Sequence, residues 1–255
     1  MNFTILFIVA EYIAITYAFG LLYKFVGWKI STYIQRIFGW TGYCILGSVG
    51  VTYHELSHLI TAVLFRHKIS AVRLFRPFQG KVDGTLGYVN HSWNNRSLYQ
   101  KIGNFFIGTA PMLFGAGLFF VILRVAYPTS FTDAAEMSEI FGSLVFAFIN
   151  MLKPENFFTM WTPIVILIAI FICPYIHMSW EDIKGAASGA ITLIIAAFIL
   201  SLISVAIPAD AMSQIQGAMN TVVTYYIYAL ILGLTMSVIM TVCFALVSVL
   251  RGKKL

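Results

Sequence analysis

Long apolar stretches, each close to 20 residues, dominate this chain of 255 residues. A helix of about 20 apolar residues spans the hydrocarbon core of a bilayer, so stretches of this length predict membrane-spanning helices. We predict six spans, at about residues 2–23, 40–65, 102–127, 157–177, 186–207 and 219–250. A further apolar stretch at 140–152 is too short to span and predicts an interfacial or re-entrant helix.

The segment between the second and third spans, 66–101, has a different pattern. Its stretches 69–75 and 85–90 are rich in β-branched and aromatic residues, and Pro, Gly and Asp residues separate them. This pattern predicts a short β-hairpin. The predicted fold is therefore an all-α polytopic membrane protein with one domain over 1–255 and a β-hairpin on the cytoplasmic side after the second helix.

Composition supports the membrane class and excludes others. Apolar residues make up 60% of the chain and charged residues only 10%, whereas soluble domains carry about 25% charged residues. A chain of this size could not hide so much apolar surface from water, which argues against a cytosolic enzyme or a nucleic-acid-binding protein.

Charge along the chain predicts how the helices are oriented. Segment 66–101 and the carboxyl-terminal tail are basic, while 128–156 is mainly acidic. The positive-inside rule then predicts that both termini and 66–101 face the cytoplasm, and that 128–156 and 24–39 lie outside. The expected location is a plasma membrane of bacterial or archaeal type.

The second span contains an H-E-x-x-H motif, running from His54 to His58. Positions i and i+4 of a helix lie one turn apart on the same face, so His54 and His58 can bind one tetrahedral Zn²⁺. Glu55 is the residue type that takes a proton from an attacking water molecule. Ionisable residues are costly inside a membrane and usually face a functional cavity, so we interpret this cluster as a metal site.

A catalytic zinc ion usually has three protein ligands, so one more residue is needed. His58 lies eight residues before Arg66, hence about 12 Å from the predicted cytoplasmic end of its helix. Asp182 lies at the predicted cytoplasmic junction of the fourth and fifth spans, where Pro174 can break the helix. We favour Asp182 as the third ligand. The alternatives are His177, Glu181 and, more distantly, Glu11. His67 and His91 are expected to be solvated.

These motifs resemble those of the site-2 protease family of intramembrane zinc metalloproteases. The likeness covers about residues 40–190 and includes the H-E-x-x-H helix, then short membrane-associated strands. Next comes a helix with a small-residue Pro motif, 108–115 in this chain. The third landmark is a ligand Asp near a Pro, here Asp182 and Pro174. Ile183 follows Asp182 where the family has Gly, so the chain resembles a divergent member.

The resemblance implies a function. A member of this family hydrolyses a peptide bond within or near a membrane span of a membrane-protein or signal-peptide substrate. Zn²⁺ would be the cofactor, with His54, His58 and Asp182 as ligands and Glu55 as the catalytic base. A substrate helix must unwind before its carbonyls are accessible, and a strand edge within 69–90 could hold it by strand addition. The implied partners are this substrate and the lipid bilayer, and a regulatory membrane protein that controls access is left open.

Two roles are open for Asn104 in the third span: it could position the substrate, or its amide could join helices. Other functions also compete with the protease. A transporter or channel could be lined by Glu11, Asn104 and Asp182. A catalytically inactive, protease-like scaffold is possible, but would not need Glu55. A membrane di-iron hydroxylase would need more histidines than the five in this chain.

Overall fold

The computed structural model describes residues 3–127, 142, 146, 149–151, 153–157 and 159–252. Its elements are α1 (Thr4–Leu64), β1 (Lys68–Arg73), α2 (Pro77–Asp83), β2 (Tyr88–Ser92), α3 (Leu98–Ala126), α4 (Pro154–Phe157), α5 (Trp161–Ile172), α6 (Trp180–Ile203) and α7 (Ala209–Leu250). A 3₁₀ turn follows α5 and another follows α6. The protein is therefore largely helical, with a two-stranded antiparallel sheet, which agrees with the predicted class. The helix predicted at 140–152 lies largely outside the described residues.

Within the described residues, four helices are long and apolar enough to cross a membrane: α1, α3, α6 with its 3₁₀ turn, and α7. Their outer surfaces carry large exposed apolar side chains, such as Ile191, Ile195 and Ile199 on α6. Exposed apolar surface of this extent is typical of contact with lipid. The fourth predicted span is shorter than expected, because α5 ends before Pro174 and covers only about 18 Å at 1.5 Å per residue.

The first two predicted spans and the stretch between them form one interrupted helix, α1. The predicted external stretch 24–39 is helical because Ile30, Ile34 and Ile37 follow helical spacing and are buried. Gly39 interrupts the helix with φ +67° and ψ −169°, a conformation that glycine adopts without a steric penalty.

The chain bends sharply at Gly39. Ser31 and Tyr43 would be about 18 Å apart along a straight helix, yet a hydrogen bond joins their side chains. Residues 40–64 therefore fold back towards residues 24–38, and this second segment carries the H-E-x-x-H motif.

The first segment of α1 runs antiparallel to α6. At one end the Leu6 backbone N–H donates to the Ser201 hydroxyl at 3.0 Å, and at the other the Lys24 ammonium lies 4.6 Å from the centre of the Trp180 ring. The charge rule placed Lys24 outside and the junction before α6 in the cytoplasm. Lys24 and the start of α6 lie at the same end of this helix pair, and the side of the membrane that this end faces stays a prediction.

Helix α7 runs parallel to the same segment. The Thr16 and Tyr226 hydroxyls are 2.7 Å apart, and the Arg251 guanidinium donates to the Ile37 carbonyl at 3.3 Å. The carboxyl-terminal end of α7 therefore lies near Gly39, some 50 Å along the helix from Thr4. The side of the membrane that each terminus faces stays a prediction.

Helix α3 lies at the centre of the fold. In its most apolar stretch, 56% of the residues are buried inside the protein, compared with 22% in the corresponding stretch of α1 and 28% in that of α6. Glycines allow α3 and α6 to pack closely. A Cβ at Gly108 would meet the Asp182 carbonyl and the Ala186 side chain, and one at Gly189 would meet the backbone of Phe105. This packing brings the beginning of α6 against α3.

Strands β1 and β2 pair antiparallel, with an irregularity between Ile69 and Ala71. They begin and end within a few residues of the predicted strands. The connection is longer than a simple hairpin turn because it contains α2, which begins at Pro77 and is capped by Gly84 in the left-handed conformation. The cytoplasmic location of the strand pair stays a prediction.

Candidate metal centre

The two histidines of the motif lie one turn apart on α1, and each ring is held by a backbone carbonyl. His54 Nδ1 lies 2.8 Å from the Tyr175 carbonyl oxygen, and His58 Nδ1 lies 2.7 Å from that of Ile107. A carbonyl oxygen can only accept, so each Nδ1 carries the proton and donates. In a neutral ring, Nε2 then offers a lone pair, which is the form a metal needs.

Asp182 completes a group of three possible ligands. The Nε2 atoms of His54 and His58 are 3.1 Å apart, and the Asp182 carboxylate oxygens lie 3.6 Å and 3.2 Å from them, respectively. Zinc ligands at about 2.0–2.1 Å in a tetrahedron are roughly 3.3 Å from one another, so the observed separations fit. Three acceptors facing one another at these distances repel unless a cation or a proton lies between them.

The beginning of α6 fixes the orientation of Asp182. The Ser179 hydroxyl accepts from the Asp182 backbone N–H at 3.1 Å, and the Asp182 carboxylate accepts from the Ser179 N–H at 2.7 Å. This reciprocal pair is a capping box. One Asp182 oxygen is thus hydrogen-bonded to the backbone while the carboxylate faces both histidines.

The structure brings Asp182, and not the alternative third ligands, to the histidines. Glu181 pairs with Lys184 at 3.0 Å, and its side chain is 82% exposed. The His177 ring centre is 6.4 Å from that of His54, and its Nδ1 faces Gly27, buried without a hydrogen-bond partner among the described residues. Glu11 is exposed on α1 and is not in the group.

Glu55 is 8% exposed and lies beside the three possible ligands, in the wall of a cleft of about 760 Å³. The backbone at Gly87 passes directly over it. A Cβ at Gly87 would lie 2.7 Å from Glu55 Cγ and 2.9 Å from the Leu74 carbonyl oxygen. The strand pair and the motif helix therefore enclose the Glu55 side chain, and glycine is needed for that close approach.

Residues 84–91, which lead into and include most of β2, form one wall of this cleft. Asn104 from α3 lines it as well, although its side chain is 3% exposed. The Asn104 amide donates to the Ser188 hydroxyl of α6 at 3.0 Å. Asn104 thus joins two helices at the edge of the cleft, so its position is compatible with both of the roles considered.

His67 and His91 were expected to be solvated, but in the structure their rings contact each other and neighbouring groups. Their Nδ1 atoms are 2.9 Å apart, His67 Nε2 lies 2.8 Å from the Gln100 carbonyl oxygen, and the two rings pack near Trp93. Because an imidazole that bonds this carbonyl must donate through Nε2, His67 Nδ1 accepts from His91. Burial lowers the pKa of His67, and burial with the neighbouring His67 lowers the pKa of His91 to about 4.

Sequence reasoning missed several residues that build the centre. Ser179 could have been found, because Ser-x-x-Asp before an apolar stretch is a capping-box pattern. Gly87 gave no signal, since nothing in the sequence shows which backbone passes over Glu55. The Tyr175 and Ile107 carbonyls were also unpredictable, because their contacts depend on tertiary packing.

Comparisons with protein-family models, curated proteins and solved structures give no match for this chain.

Proposed function

We propose that this protein is an intramembrane zinc metalloprotease that hydrolyses a peptide bond within or near a membrane span of its substrate. One observation carries the proposal. Two histidines, whose Nδ1 atoms are held by backbone carbonyls, direct their Nε2 atoms at each other and at a carboxylate, at separations typical of a tetrahedral metal site. A protonated histidine could also relieve the repulsion, and the measurement of metal content separates the two explanations.

The donor set fits zinc. Two imidazoles and one carboxylate are a known catalytic zinc set, and they leave a fourth position for water or substrate. Zinc bound there supplies a Lewis acid that polarises a carbonyl and makes water more acidic. His54, His58 and Asp182 hold the site, while Glu55 takes the proton of the attacking water and passes it to the leaving amine.

The cleft suits an extended peptide better than a helix. Residues 84–91 border it, and β2 pairs with β1 along one edge only within the described sheet. A substrate segment that unwinds can add as a strand to the other edge, which satisfies its backbone and presents a carbonyl near Glu55. Asn104 at the cleft wall would help to position that segment.

The membrane setting is part of the proposal. Four long apolar helices support a membrane protein. We place the protein in a plasma membrane. The substrate would reach the metal centre from the side on which β1 and β2 lie. A regulatory membrane partner could control access to this cleft.

Replacing the proposed base tests this function. We expect cells that express the wild-type chain to contain membrane-protein fragments with new ends in or near predicted spans, as measured by mass spectrometry of protein termini. Glu55→Gln should abolish these fragments while the purified variant retains its zinc. Glu181→Gln is the matched control, since its carboxylate is exposed and paired with Lys184, and should retain both.

The same fragments at the same level in Glu55→Gln cells would contradict the base assignment. The absence of any wild-type-dependent fragment would contradict the protease proposal itself.

A further inference from the structure

A second cavity, of about 670 Å³, adjoins the metal cleft. The two cavities share Tyr43, His177 and Ser179 in their walls. The rest of its lining comes mainly from the first segment of α1, between Lys24 and Arg36. This volume is many times that of a water molecule and lies in the usual range for small-ligand sites.

The lining is polar and positively charged. Lys24, Ser31, Gln35 and Arg36 project from α1 into the cavity, and neither Asp nor Glu is present among its described lining residues. The opposite face of this helix is apolar and buried, as Ile30 and Ile34 show. Ammonium, guanidinium, hydroxyl and amide groups together bind phosphate oxygens well.

The spacing of the two cations indicates the shape of the ligand. Lys24 and Arg36 are 12 residues apart, hence about 18 Å along the helix axis. One phosphate could reach both side chains only if both extended almost fully towards the middle, which would take the Lys24 ammonium away from the Trp180 ring, 4.6 Å from it. A ligand with two phosphates joined by a short linker could contact Lys24 with one and Arg36 with the other.

The surroundings of the cavity favour a lipid as the source of these phosphates. The apolar stretch from Thr4 to Tyr23 is about 30 Å long, the thickness of the hydrocarbon core, so Lys24 lies where a lipid headgroup would. Trp28 and Phe25 are exposed beside it, and the Lys29 ammonium lies 4.8 Å from the Trp28 ring centre. Exposed aromatic residues with lysines are typical of the membrane interface.

We propose that this second cavity binds the headgroup of a lipid that carries two phosphates. The lipid would border the metal cleft at His177 and Ser179. The proposal does not rest on the proteolytic function, because none of the cationic residues of this cavity belongs to the metal centre.

Native mass spectrometry of the detergent-purified full chain tests the proposal. The probes are cardiolipin with two phosphates, phosphatidylglycerol with one, zwitterionic phosphatidylcholine, and inorganic phosphate. We expect cardiolipin to bind best and inorganic phosphate not to displace it. Lys24→Gln and Arg36→Gln should each weaken cardiolipin binding about fivefold, the effect of one cation near a lipid phosphate.

Lys29→Gln is the matched control, because it removes the same charge from the same helix outside the cavity lining. It should leave cardiolipin binding unchanged. Equal binding of cardiolipin and phosphatidylcholine, an equal loss in Lys29→Gln, or displacement by inorganic phosphate would each overturn the proposal. Thermal melting of each variant shows whether a loss of binding reflects a loss of folding.

Discussion

At the scale of single residues, close backbone approach shapes the candidate centre as well as the proposed ligands do. Gly87 carries no chemistry, yet it lies directly over Glu55 and beside the Leu74 carbonyl. A side chain there cannot be accommodated by a small rotation, because one of its neighbours is backbone. The position of the proposed base therefore depends on a glycine from a different element.

We predict that Gly87→Ala greatly lowers proteolysis while zinc content stays near the wild-type level. The added methyl group would displace Glu55 or residues 84–91, whereas the three proposed ligands lie on α1 and α6. Fragment analysis and metal analysis of the same preparation check this. Gly117→Ala is the control, because a Cβ at Gly117 meets open space. Normal proteolysis in Gly87→Ala would show that this contact does not position Glu55.

The sequence predicted the identity of the residues at the candidate centre. It did not predict the orientation of their side chains. H-E-x-x-H spacing was enough to bring His54 and His58 together, because helix geometry is local. The ring nitrogen that each histidine offers depends on the carbonyls of Ile107 and Tyr175, which are 49 and 121 residues distant in sequence. No local pattern contains that information.

At the scale of elements, the start of α6 determines where Asp182 lies. The capping box with Ser179 holds the carboxylate, and the contact between Gly108 and the Asp182 backbone holds the helix against α3. The small-residue motif of α3 is thus explained by packing. Each feature acts on the ligand indirectly.

We predict that Ser179→Ala weakens zinc binding about tenfold, as loss of a group that orients a ligand does. The loss of the cap should also cost about 1 kcal/mol of stability. Competition with a zinc chelator and thermal melting measure the two effects. Thr192→Ala, which removes a hydroxyl farther along α6, should not change zinc affinity. Unchanged affinity in Ser179→Ala would mean that the cap does not orient Asp182.

The strand pair has a pH dependence of its own. His67 and His91 have pKa values below the ordinary 6.5, so the unfolded chain binds protons that the folded strands exclude. Stability of this element should therefore fall as pH drops from about 6.5 towards 4. Gln100 and Trp93 pack on this pair, and His58 and Asp182 also act on His91 electrostatically.

Hydrogen exchange of the β1 and β2 amides, corrected for the intrinsic effect of pH, measures that loss. We expect His91→Gln to reduce the pH dependence. If the β1 and β2 amides of the wild type are equally protected from exchange at pH 7 and pH 5, the account of this histidine pair is contradicted.

Several elements were predictable because their signals are local. Apolar length identified α3 and α7, and the β-branched stretches identified both strands approximately. The continuity of α1 was not recognised, because the charged residues Lys24, Lys29 and Arg36 interrupt the apolar pattern between the first two predicted spans. Their charges instead lie on one side of a helix whose other side is buried. Tertiary burial, rather than charge, decides that structure.

At the scale of the whole molecule, helix directions determine which ends of the chain are close. The first segment of α1 and the parallel α7 place Thr4 and Leu250 at opposite ends of a segment that is longer than the hydrocarbon core. The positive-inside rule could not predict this helix arrangement, because it assigns each basic stretch to one side of the membrane without regard to how the helices pack.

We predict that reporters fused to the two termini respond on opposite faces of the membrane. Protease protection of tagged membrane vesicles provides the measurement, with tags placed at each end in separate variants. Equal accessibility of both tags from one face would show that the helices cross the bilayer differently from the packing described above.

The central claim is that His54, His58 and Asp182 bind zinc. The direct measurement is the metal content of the purified, folded chain, by mass spectrometry of the elements, for the wild type, Asp182→Asn and the control Glu181→Gln. We predict about one zinc per chain in the wild type and in Glu181→Gln, and very little in Asp182→Asn. A folded wild-type chain without bound metal after incubation with zinc, or full zinc content in Asp182→Asn, would contradict this claim.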